Sequence, residues 1–287
     1  MTADLRPRRS VLYMPGANER ALEKAQTIPA DALILDLEDA VAPDAKPEAR
    51  ERVCAAASSG AYGAREVAIR ANGIGTPWHD ADLKAIAAAG PAAVLVPKVN
   101  SAADVQAIEA GLEKAGAPDH TAIWAMVETP AAMLDALAIA SSSERLTVLV
   151  MGTNDLVKEL HAARVPGRGP LQLGLGLSLL GARSAGKVIL DGVYNDIKDE
   201  VGFLAECVQG RELGFDGKTL IHPGQVEGAN EAFAPSVQAI EDARGLIAAW
   251  DARESGVVTY NGRMVENLHV ESAQRTLSIA DAIAALG

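Results

Sequence analysis

Two carboxylates follow short apolar runs near the middle of the chain. Residues 123–127 and 147–151 are apolar on both faces, which is typical of strands buried within a parallel sheet. Glu128 follows the first run directly, and Asp155 follows the second after a Gly-Thr-Asn tripeptide. Neighbouring parallel strands end at one edge of the sheet, where two hard oxygen ligands suit Mg²⁺. Alternatively, the two residues simply begin helices as N-caps, and this pair alone leaves both interpretations open.

Other predicted strands also end in charged side chains: Glu38, Asp39, Arg70, Lys98, Asp191 and His222. Like charges gathered at one edge of a sheet repel each other, so these side chains would not stabilise a purely structural protein. A cation held by carboxylates, with Arg70 as a bidentate clamp for a substrate carboxylate, accounts for it. Each residue also has a plainer role: Glu38 and Asp39 as helix caps, Lys98 as a salt-bridge partner, and His222 as a turn residue.

The elements that must position these side chains alternate between strand and helix. Eight such strands are the number of a TIM (β/α)₈ barrel, in which the carboxyl ends of the strands face the active site. A doubly wound open sheet is the alternative α/β architecture, although it usually has fewer strands. The predicted strands cover residues 10–14, 32–37, 66–71, 93–96, 123–127, 147–151, 187–190 and 218–221.

The chain changes character after the eighth predicted strand. We expect residues 1–234 to form the barrel and residues 235–287 a helical appendage or lid that covers the barrel or a neighbouring subunit. Within it, residues 236–253 and 265–285 read as helices, separated by a loop at 255–262.

Composition limits the classes of function. With 38 acidic and 26 basic residues the net charge is −12, so no basic face for nucleic acid is expected. Two cysteines, Cys54 and Cys207, are too few for a disulfide framework. No apolar run reaches the length of a spanning helix. We expect a soluble cytoplasmic protein with neither nucleic acid nor membrane as a partner.

Several motifs then carry a resemblance to a known family. The chain resembles the citrate lyase beta-subunit-like family of the HpcH/HpaI aldolase superfamily, which includes malyl- and citramalyl-coenzyme A lyases. The matching stretches run in order over nearly the whole chain: RSVLYMPG at 9–16, LDLEDAV at 35–41, IRANG at 69–73, VPKV at 96–99, VET at 127–129, GTND at 152–155, GFDGK at 214–218 and IHPGQ at 221–225.

The resemblance implies a TIM barrel with Mg²⁺ on Glu128 and Asp155 and a substrate carboxylate on Arg70. The substrate site would further include Glu38, Gly152, Thr153 and Asn154. Coenzyme A phosphates would lie near the segment that carries Tyr13, Arg20 and Lys24. Family members also extend a C-terminal segment, similar to residues 260–266 here, into the active site of a neighbouring subunit of a trimer. The acidic residue of that segment is usually Asp, and here it is Glu266.

The implied reaction is a reversible Claisen cleavage. A 3-hydroxy-3-carboxyacyl-CoA of the malyl, citramalyl or citryl type would give acetyl-CoA and a 2-keto acid. Glu266 would pass the proton to or from the enolate carbon, in a homotrimer or hexamer. A malyl-CoA thioesterase using the same site and the beta subunit of a carrier-protein-dependent citrate lyase complex are the alternatives. A class II pyruvate aldolase is less favoured, because such enzymes carry a His where this chain has Asp39.

Overall fold

The computed structural model describes residues 6–253 and 257–286. Residues 8–232 form one compact unit, and the residues from 233 onward, grouped with the start of the chain, form a second. No helix among the described residues is long and apolar enough to cross a membrane.

The first unit is a closed barrel of eight parallel strands in sequential order. The last strand pairs with the first, Ser10 opposite Lys218, so no edge remains open. The TIM barrel prediction is therefore confirmed, and the open doubly wound sheet is wrong. The strands are β1 (Ser10–Pro15), β2 (Ala32–Asp36), β3 (Glu66–Arg70), β4 (Ala93–Val96), β5 (Ala122–Val127), β6 (Leu146–Met151), β7 (Val188–Asp191) and β8 (Gly217–Leu220).

Helices connect these strands and bury them on the outside, while apolar side chains such as Val11, Ile34, Leu95, Trp124 and Val150 form one buried cluster. The helices are α1 (Glu19–Ala25), α2 (Lys46–Ser58), α3 (His79–Ala89), α4 (Ala102–Lys114), α5 (Pro130–Leu134), α6 (Ala136–Ala140), α7 (Thr153–Glu159), α8 (Gln172–Ser184), α9 (Glu200–Leu213) and α10 (Val226–Phe233).

One local expectation needs correction. The single helix predicted between β5 and β6 is two short helices, because the backbone leaves the helical region at Asp135 (φ −105°, ψ 13°). As expected, β6 stops at Met151, and Asp155 follows after three residues, in the first turn of α7. Its carboxylate therefore reaches the barrel mouth from a helix start.

The second unit contains two helices joined by a hairpin: α11 (Val237–Asp251), β9 (Val258–Tyr260), β10 (Arg263–Val265) and α12 (Asn267–Leu286). The prediction of a loop at 255–262 is wrong for the described residues 257–262, because β9 pairs antiparallel with β10. The turn is Asn261-Gly262, and both residues have positive φ (48° and 74°), as a tight two-residue hairpin requires. Residues 254–256, which include the start of the predicted loop, lie outside the described residues.

Candidate metal and substrate site

A cavity of about 420 Å³ lies among the carboxyl ends of the barrel strands. It brings together residues that are far apart in the sequence and were singled out there: Tyr13, Arg70, Glu128, Gly152, Thr153, Asn154 and Asp155. The convergence follows from the fold, since parallel strands deliver the residues that follow them to one face of a barrel.

Glu128 and Asp155 share this cavity and are linked through Lys98. Glu128 is only 2% exposed, and its Oε1 accepts a hydrogen bond of 2.8 Å from the backbone N–H of Lys98. The Lys98 ammonium lies 3.4 Å from Oδ1 of Asp155. Burial, together with the negative charge of Asp155, raises the pKa of Glu128 to about 7. A divalent cation between the carboxylates would relieve this repulsion.

Gly152 makes room for Glu128 at the turn between β6 and α7. A β-carbon at residue 152 would lie 2.2 Å from Oε2 and 2.3 Å from Cβ of Glu128, far inside van der Waals contact. Only glycine lets the carboxylate lie against the start of α7, so the Gly-Thr-Asn-Asp sequence fixes the position of Glu128 as well as that of Asp155.

The donors at this place fit Mg²⁺. Among the described residues there is no group of three or more His, Cys, Asp or Glu side chains arranged to hold a metal. A metal here would therefore take Glu128 and Asp155 and complete its shell with water and ligand oxygens. Mg²⁺ binds in that manner, through one or two carboxylates with several other oxygens.

Arg70 is held by acidic side chains on the β2 side of the cavity. Its Nε and Nη2 donate to the two oxygens of Asp36, both at 2.6 Å, and its Nη1 lies 2.9 Å from Glu38 and 3.5 Å from Asp39. Burial opposes the charge of the guanidinium, but Asp36 outweighs it and raises the pKa of Arg70. The ring of Tyr13 lies 4.9 Å from the guanidinium carbon. Arg70 therefore stays charged and fixed in orientation.

Asp36 is a site residue that the sequence analysis missed. It is 2% exposed and also accepts backbone hydrogen bonds from Glu38 (2.9 Å) and Ala40 (3.1 Å), which shape the loop after β2. Lys46 supports the same loop, donating to the carbonyl oxygens of Leu37 and Glu38 at 2.8 and 3.0 Å. The available signal was an Asp inside an otherwise apolar strand, since a buried carboxylate needs a partner.

Glu38 lies on this loop, and its carboxyl has a raised pKa. Burial raises its pKa to about 7, although Arg70 acts in the opposite direction. Its side chain is 16% exposed.

Asn154 is held by polar neighbours. Its amide exchanges two hydrogen bonds with Asn195, at 3.1 and 2.7 Å, and its Oδ1 accepts a third from Arg164 at 2.8 Å. Neither Asn195 nor Arg164 was predicted as a site residue, because both come from long connections after the strands.

Of the residues expected near coenzyme A, only Tyr13 lies in the cavity. Tyr13 lines the cavity, with its hydroxyl 3.8 Å from the Met126 sulfur, and burial raises its pKa, which keeps the phenol neutral. Arg20 and Lys24 are exposed on α1, one turn apart, and do not line the cavity.

Two strand-end residues prove structural. Asp191 is fully buried and bonds to Arg168 at 2.6 Å and Lys218 at 3.0 Å. His222 accepts a hydrogen bond from the Gly224 N–H at 3.1 Å and caps a short turn. Neither lines the cavity, so Asp191 does not belong to the charged site that the sequence predicted. Lys98, by contrast, is the salt-bridge partner that the sequence suggested.

Glu266 belongs to the second unit. Its side chain is exposed, and its backbone N–H donates to Nδ1 of His269 at 3.0 Å at the start of α12. The carboxylate is thus carried by a fixed backbone between a hairpin and a helix.

The chain is similar to known proteins over most of its length. The sequence profile of the HpcH/HpaI aldolase/citrate lyase family matches residues 9–223. A (3S)-malyl-CoA thioesterase of Cereibacter sphaeroides is 52% identical over 288 residues, 99% of each chain. The citrate lyase subunit beta of Escherichia coli is 38% identical over 96% of this chain and 94% of its own.

Solved structures show the same similarity. CitE from Mycobacterium tuberculosis, in complex with magnesium, acetoacetate and coenzyme A, superposes with a TM-score of 0.80 at 30% identity, covering 96% of this chain and all of its own.

Proposed function

The chain belongs to the HpcH/HpaI aldolase/citrate lyase family, and from that premise we propose that it is a Mg²⁺-dependent enzyme acting on malyl-type coenzyme A thioesters. The observation that carries this proposal is the pair of carboxylates, Glu128 and Asp155, bridged by Lys98 in one cavity beside a fixed arginine. CitE from Mycobacterium tuberculosis in complex with magnesium and coenzyme A supports it.

Two net reactions fit this site. Hydrolysis of the thioester is favoured by the identity of 52% over 99% of the chain to a (3S)-malyl-CoA thioesterase. Claisen cleavage, the first expectation from the sequence, is the second candidate, supported by the citrate lyase beta subunit at 38% identity. We place hydrolysis first because its support comes from the more similar relative.

In both reactions Glu128 and Asp155 would hold the metal against the hydroxyl and carboxylate oxygens of the substrate. In cleavage, bound Mg²⁺ would supply Lewis-acid stabilisation of the negative charge that develops on the former hydroxyl oxygen, worth several kcal/mol, whereas in hydrolysis it would hold and orient the acid end of the substrate. Lys98 donates its backbone N–H to Glu128, and its ammonium offsets the negative charge of Asp155. Gly152, Thr153 and Asn154 would form the wall that the substrate contacts.

Arg70 would orient the substrate carboxylate through Nη1. Its other two donor nitrogens are committed to Asp36, which is buried in β2, so the bidentate clamp expected from the sequence has no free pair of donors. The Nη1 partners, Glu38 and Asp39, lie on the loop after β2 and can yield to a ligand. Protonation of Glu38, with its pKa near 7, would make this exchange less costly.

The two reactions differ in which bond breaks. In hydrolysis, water oxygen bonds to the thioester carbonyl carbon, the carbon–sulfur bond breaks and the coenzyme A sulfur takes a proton. In cleavage, the bond between the carbinol carbon and its CH₂ neighbour breaks, the hydroxyl loses a proton and the enolate carbon gains one.

Glu266 of a neighbouring copy is our candidate for moving the proton in either case, in a homotrimer or hexamer. Exposed Arg20 and Lys24, one helical turn apart, are proposed to meet the phosphates.

Product analysis tests the proposal. The protein is incubated with Mg²⁺ and (3S)-malyl-CoA, and then with citramalyl- and citryl-CoA, while free coenzyme A, acetyl-CoA and keto acid are measured. Hydrolysis predicts free coenzyme A without acetyl-CoA, and lyase activity predicts acetyl-CoA and keto acid in equal amounts. Turnover that survives both EDTA and Asp155→Asn would refute the metal site. If the protein turns over none of the three coenzyme A thioesters but does turn over acyl groups bound to a carrier protein, the result would favour the beta subunit of a citrate lyase complex.

A further inference from the structure

Two hydrogen-bond donors from different strands converge on one sulfur atom in the cavity. The hydroxyl of Tyr13, on β1, lies 3.8 Å from Sδ of Met126, and Nη1 of Arg70, on β3, lies 4.0 Å from the same atom. Met126 belongs to β5, and all three residues line the cavity. The phenol and the guanidinium therefore present a hydrogen each to the same part of the barrel mouth.

The sulfur is a poor partner for the Tyr13 hydroxyl, because a thioether accepts hydrogen bonds only weakly. Within the part of the chain that the structure describes, this hydroxyl has no oxygen or nitrogen acceptor. By contrast, the hydroxyls of Tyr62 and Tyr194 donate to the Leu22 carbonyl at 3.2 Å and to the Asp199 carboxylate at 2.5 Å. A ligand oxygen beside Met126 would give the Tyr13 hydroxyl the acceptor that the protein itself does not supply.

Tyr13 is held in position and keeps its proton. Its backbone pairs with Ile34 in the barrel, and its ring lies against the Arg70 guanidinium, 4.9 Å from Cζ. Burial raises the pKa of the hydroxyl well above its usual value, so the phenol is a neutral donor at neutral pH. Both donors are therefore in place before a ligand arrives.

We propose that Tyr13 is the second donor to the substrate carboxylate, with Nη1 of Arg70 as the first. This inference rests on the proposed function, which places the substrate carboxylate at Arg70. Asp36 occupies the other two nitrogens of Arg70, so the arginine alone cannot bind both oxygens of a carboxylate in parallel. One oxygen would accept from Nη1 and the other from Tyr13, which would exchange a weak contact with sulfur for a charge-assisted hydrogen bond.

Calorimetric titration with pyruvate in saturating Mg²⁺ tests the role of Tyr13. Tyr13→Phe keeps the ring against Arg70 and removes only the hydroxyl. Its affinity for pyruvate should fall by about 10- to 100-fold, as expected for the loss of a hydrogen bond to a charged group, and its affinity for Mg²⁺ alone should not change. The matched control is Tyr62→Phe, which removes a hydroxyl that bonds to Leu22 and should bind pyruvate as the unaltered protein does.

Arg70→Lys in the same titration separates this proposal from the proposed function. If Arg70→Lys binds pyruvate weakly and Tyr13→Phe binds it as tightly as the unaltered protein, the role of Tyr13 is overturned and the proposed function stands. If the unaltered protein binds neither pyruvate nor glyoxylate with Mg²⁺, both are overturned.

A measurement on the unaltered protein decides the matter if Tyr13→Phe fails to fold. The chain has four tyrosines, and carbon-13 at Cζ of each reports by NMR on its own hydroxyl. Phe variants of Tyr62, Tyr194 and Tyr260 identify three of the signals and leave that of Tyr13. Pyruvate with Mg²⁺ should shift the Tyr13 signal, and a signal that stays in place at saturation would overturn the proposal.

Discussion

At the scale of single residues, Glu38 stands out because burial works against its charge. The folded protein favours the protonated carboxyl, with a pKa near 7 against 4.5 for the free group. Its contribution to stability is therefore fully present below about pH 4.5 and is lost as the pH rises through about 7. Near neutral pH this carboxyl can carry or release a proton beside Arg70.

Glu38→Gln should accordingly flatten the pH dependence of unfolding. Between pH 5 and 8 the unaltered protein should lose up to about 3 kcal/mol more stability than the variant. Urea unfolding at several pH values in metal-free buffer measures this difference. Glu227→Gln, an exposed carboxylate on α10, is the control and should behave like the unaltered protein. Parallel pH curves for Glu38→Gln and the unaltered protein would contradict the assignment.

Arg70→Lys tests the arginine's geometry separately from its charge. Lysine cannot make the paired hydrogen bonds that Asp36 now receives at 2.6 Å. We expect a loss of about 1–3 kcal/mol of unfolding free energy, typical of charge-assisted hydrogen bonds, and a fall in kcat/KM of at least about tenfold. Denaturant titration and steady-state kinetics measure the two effects, and full activity in Arg70→Lys would contradict the proposed role of Arg70 in orienting the substrate carboxylate.

The sequence predicted some of these residues and missed others for a physical reason. Glu128, Asp155 and Arg70 were found because each follows an apolar run, and the fold places such residues at one mouth. Asp36 and the backbone bond from Lys98 to Glu128 were missed, because they depend on side-chain packing between neighbouring strands. Asp191 was misread because nothing local distinguishes a carboxylate in a buried ion pair from one in a cavity.

At the scale of elements, the turn from β6 to α7 determines where Glu128 lies. The strands were predictable from their length and apolar composition, whereas the hairpin of β9 and β10 was overlooked despite its Asn-Gly turn. The break at Asp135 could not be inferred, since the sequence around it is uniformly helix-forming.

Gly152→Ala should damage the metal site without unfolding the barrel. The added methyl group would displace the Glu128 carboxylate, which lies 2.2 Å from its position. We expect Mg²⁺ affinity to fall by about 10–100-fold, as when supporting residues of a metal site are lost. Gly176→Ala is the matched control, because its β-carbon would meet nothing within 4 Å. Equal Mg²⁺ affinity in both variants would show that the turn does not position Glu128.

At the scale of the whole molecule, our proposal assigns Glu266 to the cavity of another copy of the chain. The barrel supplies the carboxylates and Arg70, and the second unit carries exposed Glu266 on a fixed backbone. If Glu266 serves the cavity of another copy, two different inactive variants can complement each other.

Mixing variants tests this arrangement. Glu266→Gln and Asp155→Asn should each be nearly inactive alone. After exchange of subunits, some cavities would combine an intact Asp155 with an intact Glu266 from another chain, and activity should reappear. Either variant mixed with itself is the control. Failure of the mixture to regain activity, with subunit exchange verified, would show that Glu266 does not act between copies.

Calorimetric titration of Mg²⁺, in the presence of glyoxylate or pyruvate, tests most directly whether Glu128 and Asp155 hold the cation. The unaltered protein should bind one Mg²⁺ per chain, and Glu128→Gln and Asp155→Asn should each abolish the binding while the fold remains intact. Glu227→Gln should bind as the unaltered protein does. Mg²⁺ binding of undiminished affinity in either carboxylate variant would contradict the proposed site and, with it, the proposed chemistry.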